Sequence, residues 1–336
     1  MDRFTGLGEY IQTKEFKERL DIPYSEKIEC RLLAQGEYNV NYLFVHPVSK
    51  KKLILRVNTA SQMHLDDQIG YEYRALRLLE DSGRTPKALY VDGSKEKLHV
   101  GIMVMEFLEG HALNYRREMD FAAQCLADIH SVPLTGNEGL MIYENPLQAI
   151  LDECNEMVET YYQSQLGEPL KKRRIERMLR SGQRMLEKVS KYEGYRCCIN
   201  TELNSGNFLI NGEGENNYLV DWEKPLYGDP VQDLGHFLAP TTTFWKTDVI
   251  LDQKETDRFI RQYKAYVAGR YDVQGVEERL RLFIPITCLR GITWCAMAWV
   301  QYQEPGRLIR NEETFSKIES YLEDGFLERI EAVFSA

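Results

Sequence analysis

The sequence predicts an α+β fold, with strands concentrated in the first hundred residues and helices dominating the rest of the chain. Short apolar runs separated by turn residues precede residue 107, and one segment of helical periodicity interrupts them. Beyond residue 107, three segments have apolar residues at helical spacing instead. The chain has 336 residues and no internal repeat or low-complexity segment, so it is long enough for a large core or for two lobes.

Two strands are predicted near the N-terminus, from Ile28 to Leu33 and from Tyr42 to His46. The residues between them include Gly36 and Asn39, which favour a reversal of the chain. A glycine in this position also lets a loop lie close to phosphate groups. The residues alone favour a plain turn, and both interpretations stay open.

The next strand and the following helix each carry one charge in an apolar setting. A strand is predicted from Lys52 to Val57 with Arg56 in it, and a helix from Asp66 to Asp81 with Glu72 on its apolar face. A buried carboxylate is costly without a cation, which makes Arg56 the expected partner of Glu72. The two residues either form a structural salt bridge, or Glu72 orients Arg56 toward a ligand.

An apolar strand from Val100 to Met105 and three helices follow. The helices are predicted from Phe121 to His130, from Ala149 to Gln163, and across Leu282 to Tyr302. His130 is interpreted as a packed or capping residue. The second of these helices has an acidic face that is interpreted as solvated, with a wall that attracts an amine as the alternative. The face consists of Asp152, Glu156 and Glu159, with Glu153 beside it.

The last of these helices is apolar enough to be weighed as a membrane span. Pro285, Arg290 and Gly291 interrupt its apolar character, and its aromatic and small residues recur at helical spacing. The pattern therefore favours a buried helix of a helical lobe.

A β-hairpin is predicted around a polar loop near residue 214. Its strands are Phe208 to Ile210 and Tyr218 to Val220, separated by seven residues rich in Gly and Asn. Asn207 precedes the first strand and Asp221 follows the second, so the hairpin places them side by side. Amide and carboxylate oxygens suit Mg²⁺, which leans on one or two carboxylates plus substrate phosphates.

Glu202 lies five residues before Asn207 and supplies a further acid. In phosphoryl transfer of the protein-kinase type, a loop acid accepts the proton of the attacking hydroxyl, while an Asn and an Asp hold the metal. The segment from Asn200 to Asp221 contains residues of all three kinds.

These residues resemble the aminoglycoside phosphotransferase and choline kinase family of small-molecule kinases. Its pattern is His-x-Asp-x-x-x-x-Asn, then Asp-Trp/Phe-Glu, then Gly-Asp-Pro-x-x-Asp-Leu. The second and third parts are intact here as Asp221-Trp222-Glu223 and Gly228-Asp229-Pro230-Val231-Gln232-Asp233-Leu234. The first part is altered, with Asn200 at the His position and Glu202 at the position of the catalytic Asp.

The resemblance implies a bilobal protein-kinase-like fold, with a nucleotide-binding lobe over residues 1–107 and a catalytic and acceptor-binding lobe over residues 108–336. It also implies ATP and Mg²⁺ as cofactors. The residues expected to meet the nucleotide or the metal are Gly36, Asn39, Arg56, Glu72, the backbone of Glu106, Phe107 and Leu108, and the metal ligands Asn207 and Asp221.

The implied reaction moves the γ-phosphate of ATP to a hydroxyl of a small molecule, such as an aminoglycoside, a choline-like amino alcohol or a sugar-like compound. Glu202 is expected to orient and deprotonate that hydroxyl, and Asn200 to hold the loop by hydrogen bonds. The changes at these two positions leave an alternative, a catalytically impaired kinase-fold protein that binds nucleotide and has a regulatory role. Protein-kinase activity is disfavoured because no Ala-Pro-Glu follows Asp221.

The composition limits the classes of molecule that the protein is expected to bind. A net charge of −10 argues against binding to nucleic acid or to anionic membranes and favours a cationic or neutral small substrate. The seven cysteines have no metal-binding spacing and are expected to be reduced core thiols. The first residues, Met1-Asp2-Arg3-Phe4, lack a signal-peptide core, so a cytoplasmic location is expected.

Overall fold

The structure, a computed structural model, describes residues 3–36, 38–61, 63–187, 189, 192–303 and 312–335. It is an α+β fold with an antiparallel sheet in the N-terminal region and a helical C-terminal part, which confirms the predicted fold class. The chain forms two compact units. The first unit is Met1–Leu113, Phe121–Leu140 and Asn207–Pro225, and the second is Asn114–Asp120, Met141–Gly206 and Leu226–Ala336. The lobe boundary expected at residue 107 stays a prediction.

A five-stranded antiparallel sheet, in the order β1-β2-β3-β5-β4, forms the centre of the first unit. Its strands are β1 (Arg31–Gln35), β2 (Asn39–Val45), β3 (Lys52–Asn58), β4 (Ala88–Asp92) and β5 (Gly101–Glu106). Alternating residues of β2 and β3, such as Val40, Leu53 and Leu55, are buried in one apolar cluster. The short helices α1 (Leu7–Tyr10) and α2 (Lys14–Arg19) contribute to the same cluster.

Strand β1 begins three residues later than predicted. Ile28 is buried, but its backbone N–H and C=O bond to the side chain of Gln12 instead of to a neighbouring strand. An amide side chain that satisfies both backbone groups replaces a ladder pair, which apolar periodicity cannot reveal. Glu37, within the predicted turn, lies outside the described residues, as do Met1 and Asp2.

Helix α3 (Gln68–Leu78) is shorter than the predicted Asp66 to Asp81. The Asp67 carboxylate accepts the Gly70 N–H and caps the helix at that point. At the other end the chain tightens into a 3-10 turn over Glu80–Ser82 and then reverses at Gly83, whose φ is 65°. The cap and the left-handed glycine therefore set both ends.

The predicted hairpin is present in the first unit. Strands β8 (Phe208–Ile210) and β9 (Tyr218–Leu219) pair antiparallel, and β6 (His111–Ala112) extends them to a three-stranded sheet. Helix α4 (Met119–His130) covers the helix predicted there, and His130 at its end is fully buried.

The second unit is mainly helical, with one small sheet of β7 (Cys197–Ile199) and β10 (Leu226–Gly228). Its helices are α5 (Pro146–Gln163), α6 (Pro169–Leu186), α7 (Pro230–Leu238), α8 (Pro240–Lys246), α9 (Gln253–Val267), α10 (Val276–Gln303), α11 (Glu312–Tyr321) and α12 (Asp324–Val333). Helix α10 is the central one, because α5, α7 and α8 all pack against it.

Within the described residues, α10 has the length and composition that could cross a membrane. Two thirds of the apolar window, 67%, is buried inside the protein, as in the core helix of a globular unit. The burial agrees with the buried-helix interpretation of this segment.

Candidate active site

The hairpin places Asn207 and Asp221 at the same end of its two strands. Phe208 pairs with Leu219, and the N–H of Val220 donates to the carbonyl oxygen of Asn207 at 2.8 Å. Asn207 is therefore paired with Val220, and Asp221 is the next residue along the chain. The two predicted residues lie side by side at the end of the hairpin, as the sequence predicts. The Asn207 residue is largely buried, whereas the Asp221 side chain is 46% exposed.

The backbone at Asp221 is strained. Its φ is 66°, a left-handed conformation that costs a residue with a Cβ about 1–2 kcal/mol. Trp222 stabilises the reversal, since its ring is buried and its Nε1 donates to the carbonyl oxygen of Leu219 at 3.1 Å. Non-glycine residues in such conformations cluster at functional sites.

One buried guanidinium, that of Arg56, meets three carboxylates. Its Nε lies 3.0 Å from Glu72 Oε2, an ion pair without the alignment of a good hydrogen bond. Its Nη2 donates to Glu223 Oε1 at 2.7 Å and to Asp221 Oδ1 at 3.2 Å. The predicted pair of Arg56 and Glu72 is therefore present, and it is part of a larger cluster.

The charged groups in this cluster shift one another's pKa values. Burial raises the pKa of Glu72 to about 7, with the Asp221 charge adding to the rise and Arg56 opposing it. Burial, followed by the charge of Asp221, likewise raises the pKa of Glu223 to about 7. Burial alone would lower the pKa of Arg56, but the three carboxylates outweigh it and hold that pKa above its ordinary value. The three carboxylates can carry more negative charge than one guanidinium neutralises.

Glu223 was not among the predicted site residues, yet it joins the hairpin to the sheet. Its carboxylate accepts from Asn39 Nδ2 as well as from Arg56, and its carbonyl oxygen accepts from Gln68 Nε2 at 2.7 Å. Asn39 is itself held by Asn58 Nδ2, which donates to Asn39 Oδ1 at 3.0 Å. The intact Asp-Trp-Glu motif was the only signal for this role in the sequence.

The donor set around Asp221 fits a divalent cation. The hairpin end offers the oxygens of Asn207 and Asp221, and the excess of carboxylate in the Arg56 cluster favours an additional positive charge. No group of three or more His, Cys, Asp or Glu side chains that could hold a metal occurs in the described part of the chain. A metal bound here would therefore depend on waters or on a ligand's phosphates for its remaining contacts, as Mg²⁺ usually does.

The predicted nucleotide contacts lie on the β1–β2 turn and after β5. Gly36 N–H donates to the carbonyl oxygen of Asn39, and a Cβ added at Gly36 would meet only that oxygen, at 3.7 Å. Among the described residues, no close packing contact therefore requires a glycine here, and its role in covering a ligand stays a prediction. After β5, the N–H groups of Glu106 and Phe107 already donate to the carbonyls of Lys87 and Lys52, so Leu108 is the better candidate to donate to adenine.

In the second unit, the loop from Asn200 to Gly206 is fixed by a fully buried carboxylate. Asp233 accepts the N–H of Asn200 at 2.8 Å and that of Thr201 at 2.7 Å. Asn200 Oδ1 in turn accepts the N–H of Glu202 at 3.1 Å. Thr201 has a φ of 71°, a second strained position that this network stabilises.

The Gly228 to Leu234 motif explains how Asp233 is positioned. Asp229 caps α7 by accepting the Val231 N–H, and its carboxylate also accepts from Arg279 Nε at 2.6 Å. Asp233 lies one turn further along the same helix, beneath the loop. The two acids of the motif therefore anchor the helix and the loop respectively.

Glu202 is held by a cation on α10. Arg290 Nη2 donates to Glu202 Oε1 at 3.2 Å, and the same guanidinium makes two contacts to Glu153 of α5. In the sequence, Arg290 is only an interruption of an apolar helix, and Glu153 lies beside a face that is interpreted as solvated. The signal was the charge of Arg290 itself, because an arginine in a core helix needs a partner.

A family model described as the phosphotransferase enzyme family matches residues 29–282. The chain belongs to this family. The match spans the sheet, the hairpin, the loop of Glu202 and the start of α10, so the family pattern and the geometry concern the same residues. No curated protein matches the chain by sequence.

Solved structures share the fold of this family member at low sequence identity. A spectinomycin phosphotransferase in complex with ADP and spectinomycin has a TM-score of 0.63 at 14% identity, covering 96% of this chain and 98% of that one. A choline kinase from Cryptosporidium parvum has a TM-score of 0.63 at 14% identity, covering 97% and 99%. An amicoumacin kinase in complex with AMP-PNP and Ca²⁺ has a TM-score of 0.59 at 13% identity, covering 88% of each chain.

Proposed function

We propose that this phosphotransferase uses ATP and Mg²⁺ to phosphorylate a hydroxyl of a small molecule. The observation that carries the proposal is the Arg56 cluster, in which a buried guanidinium on a central strand meets Glu72, Asp221 and Glu223 beside Asn207. A strand cation oriented by a helix glutamate is the arrangement that kinases use for the α- and β-phosphates. The nucleotide complexes of two structural relatives support the same assignment.

The proposed nucleotide contacts belong to the first unit. Arg56 binds phosphate oxygens, Glu72 orients it, and the turn with Gly36 and Asn39 covers the phosphates. Leu108 meets the adenine through its backbone. Arg56 replaces the usual lysine, and its planar fork grips phosphate in two places where an ammonium would act as a point charge.

Asn207 and Asp221 would hold Mg²⁺. The ion would neutralise negative charge on the transferred phosphoryl group. The left-handed backbone of Asp221 and the buried ring of Trp222 fix the carboxylate for this task. Glu223 contributes by holding Arg56 and Asn39, so the hairpin and the sheet keep a fixed geometry.

Glu202 acts on the acceptor. The acceptor oxygen forms a bond to the γ-phosphorus as the bond to the bridging oxygen of ADP breaks, and the hydroxyl proton passes to the Glu202 carboxylate. The transition state of such transfers is loose, so orientation of the hydroxyl matters more than the strength of the base. Asn200 and Asp233 serve this step by holding the loop.

The acceptor we propose is a cationic or neutral hydroxylated compound. Glu153 and Glu202 outnumber Arg290 by one charge, and Trp294 lies one helical turn beyond Arg290 on the same face of α10. Trp294 forms an edge contact with Trp245, with ring centroids 5.3 Å apart. Aromatic rings beside a surplus carboxylate attract an ammonium group through cation–π and charge interactions.

The alternative function is a catalytically impaired nucleotide-binding protein. The observation that favours it is the altered loop, in which Asn200 and Glu202 occupy the positions of His and Asp in the family pattern. Both functions include the binding of ATP, so binding alone does not distinguish them.

We also propose that the protein works in the cytoplasm. All seven cysteines are free thiols, and six of them are buried. Reduced core thiols are typical of proteins from reducing compartments.

Single-turnover transfer from γ-labelled ATP to a panel of aminoglycosides, choline, ethanolamine and hydroxylated sugars tests the proposal. We expect a labelled phosphate ester with at least one acceptor, and its loss in Glu202→Gln and in Asp221→Asn. Asp128→Asn is the matched control, because Asp128 pairs with Arg84 and is outside the proposed site. If the wild type formed neither ester nor inorganic phosphate above the Glu202→Gln, Asp221→Asn double variant, the impaired-kinase alternative would replace the enzyme.

A further inference from the structure

The length of Glu202 poses a geometric problem. Glutamate has one methylene more than the aspartate of the family pattern, so its carboxylate has one more torsion to be fixed. The Glu202 side chain is 30% exposed, so packing alone does not fix it. A displacement of about 1 Å at a reacting group can cost roughly a hundredfold in rate, which means that the carboxylate needs a support.

Arg290 provides a contact of defined direction. Its Nε donates to Glu153 Oε2 at 2.8 Å and its Nη2 to Glu153 Oε1 at 3.2 Å, a two-point contact that fixes the plane of the guanidinium. The same Nη2 donates to Glu202 Oε1 at 3.2 Å. Glu202 therefore meets a cation whose orientation is already set by a residue on another helix.

The helices that carry this support are closely packed. A Cβ added at Gly291, next to Arg290, would lie 2.7 Å from Thr241 Cβ of α8. On the opposite side, a Cβ at Gly182 of α6 would lie 3.0 Å from the methyl carbons of Ile286 and Leu289 of α10. A Cβ at Gly291 would clash with Thr241, and one at Gly182 would make a tight contact with α10, so α10 is closely packed near Arg290.

We propose that Arg290 and Glu153 form a positioning pair that fixes the Glu202 carboxylate for the acceptor hydroxyl. The inference rests on the proposed function and deepens it, since it assigns two residues outside the family motifs to the acceptor step. Arg290 supplies the contact, and Glu153 keeps Arg290 from turning fully toward Glu202. Glu202 then orients the hydroxyl through a carboxylate of fixed direction.

The competing explanation is a salt bridge that only joins α5 to α10. A matched control exists in the same unit, because Arg174 of α6 joins α12 through Glu331 and Asp324 and is 7% exposed. Its contacts resemble those of Arg290, with no residue of the Glu202 loop among the carboxylates. Arg174→Gln should therefore lower the unfolding temperature and leave kcat and its pH dependence at wild-type values.

The test compares Arg290→Gln, Arg290→Lys and Glu153→Gln with Arg174→Gln, by steady-state kinetics across pH with an acceptor that the wild type phosphorylates. For Arg290→Gln we expect kcat to fall about 10–100-fold, as misplacement of a catalytic group does, with KM for ATP unchanged. The acidic limb of the pH profile of kcat should move to higher pH, because Glu202 loses its cation. Arg290→Lys should recover part of kcat, and Glu153→Gln should fall between the wild type and Arg290→Gln.

The proposal is overturned if Arg290→Gln loses thermal stability as Arg174→Gln does but keeps the wild-type kcat and pH profile. If the wild type phosphorylates no acceptor, the proposed function fails, and crystal structures then decide the positioning role. A Glu202 carboxylate displaced in Arg290→Gln would support it, and one in the same place in both proteins would overturn it.

Discussion

At the scale of single residues, Arg56 determines the electrostatics of the first unit. It is 4% exposed and pairs with three acids, so its removal would leave several carboxylates facing one another in a low-dielectric environment. The sequence predicted Glu72 as the partner of Arg56, because helical periodicity places it on the core face, and it predicted Asp221 only as a metal ligand. It did not show Glu223, whose contact depends on how the hairpin folds back onto the sheet.

Substitution of Arg56 by methionine should destabilise the protein strongly. Breaking a buried ion pair by removing one partner costs about 3–5 kcal/mol in the free energy of unfolding. Arg180→Met is the control, because Arg180 pairs with Glu176 at a 70% exposed position and should cost only about 0.2–1 kcal/mol. Urea denaturation of both variants measures the difference, and equal losses would show that the cluster is not the buried network described.

The acids of the cluster also give a pH dependence. The pKa of Glu223 is raised to about 7 in the folded protein, above its ordinary value, so the folded state binds a proton that the unfolded state releases. The contribution of this proton to the free energy of unfolding is fully present below the ordinary pKa of a glutamate. It is lost as the pH rises through about 7. Between these limits the loss should reach about 3–4 kcal/mol, since the shift from 4.5 to about 7 corresponds to ~1.4 kcal/mol for each pKa unit.

The measurement compares the free energy of unfolding of the wild type with that of Glu223→Gln from about pH 5 to 8, without nucleotide or metal. We expect the wild type to lose stability relative to the variant as the pH rises. A difference that is constant across this range, or that grows in favour of the wild type, would contradict the raised pKa.

At the scale of elements, close helix contacts position the acceptor-side residues. Helix α10 passes Thr241 of α8 at Gly291 and meets α7 at Gly235, where a Cβ would lie 2.6 Å from Phe283 Cβ. The sequence predicted α10 but not these contacts, because a glycine in a helix carries no information about which neighbour approaches it. The predicted ends of α3 and β1 also differ from the structure, because side-chain contacts set them. The Asp67 cap begins α3, and the Gln12 amide occupies the backbone groups of Ile28 before β1.

Gly291→Ala should therefore destabilise the protein by about 1–3 kcal/mol, the usual cost of overpacking a core. The clash is with the Cβ, Oγ1 and Cγ2 atoms of Thr241 near its backbone, which cannot swing away as the end of a long side chain would. Gly325→Ala in α12 is the control. A Cβ at Gly325 meets nothing within 4 Å, so this change should stabilise the helix by roughly 0.5–1 kcal/mol. Unfolding temperatures that rise in both variants would contradict the packing of α10.

At the scale of the whole molecule, the order of motifs along the chain predicted the family, whereas the composition only limited the classes of partner. Asp221-Trp222-Glu223 and the Gly228 to Leu234 motif predicted the family, and the structure gives each acid of the second motif a physical role. The side-chain network around Glu202 could not be predicted, because Arg290 is 88 residues away in the sequence and no spacing rule links it to the loop. The net charge of −10 restricts the partners without identifying the acceptor.

The proposed nucleotide and metal contacts form one set of residues, and the residues of the proposed acceptor step form another. Asp221→Asn removes a carboxylate from the proposed Mg²⁺ site, so it should abolish the Mg²⁺-dependent part of ATP affinity together with phosphate transfer. Glu202→Gln should keep that affinity and lose transfer about 10²–10⁴-fold, the usual contribution of a general base.

Titration calorimetry of ATP with and without Mg²⁺, paired with single-turnover transfer on the same preparations, tests this division most directly. We expect Asp221→Asn to lose both Mg²⁺-dependent binding and transfer, whereas Glu202→Gln should lose only transfer. Wild-type transfer rates in Glu202→Gln, or unchanged Mg²⁺-dependent ATP affinity in Asp221→Asn, would contradict it.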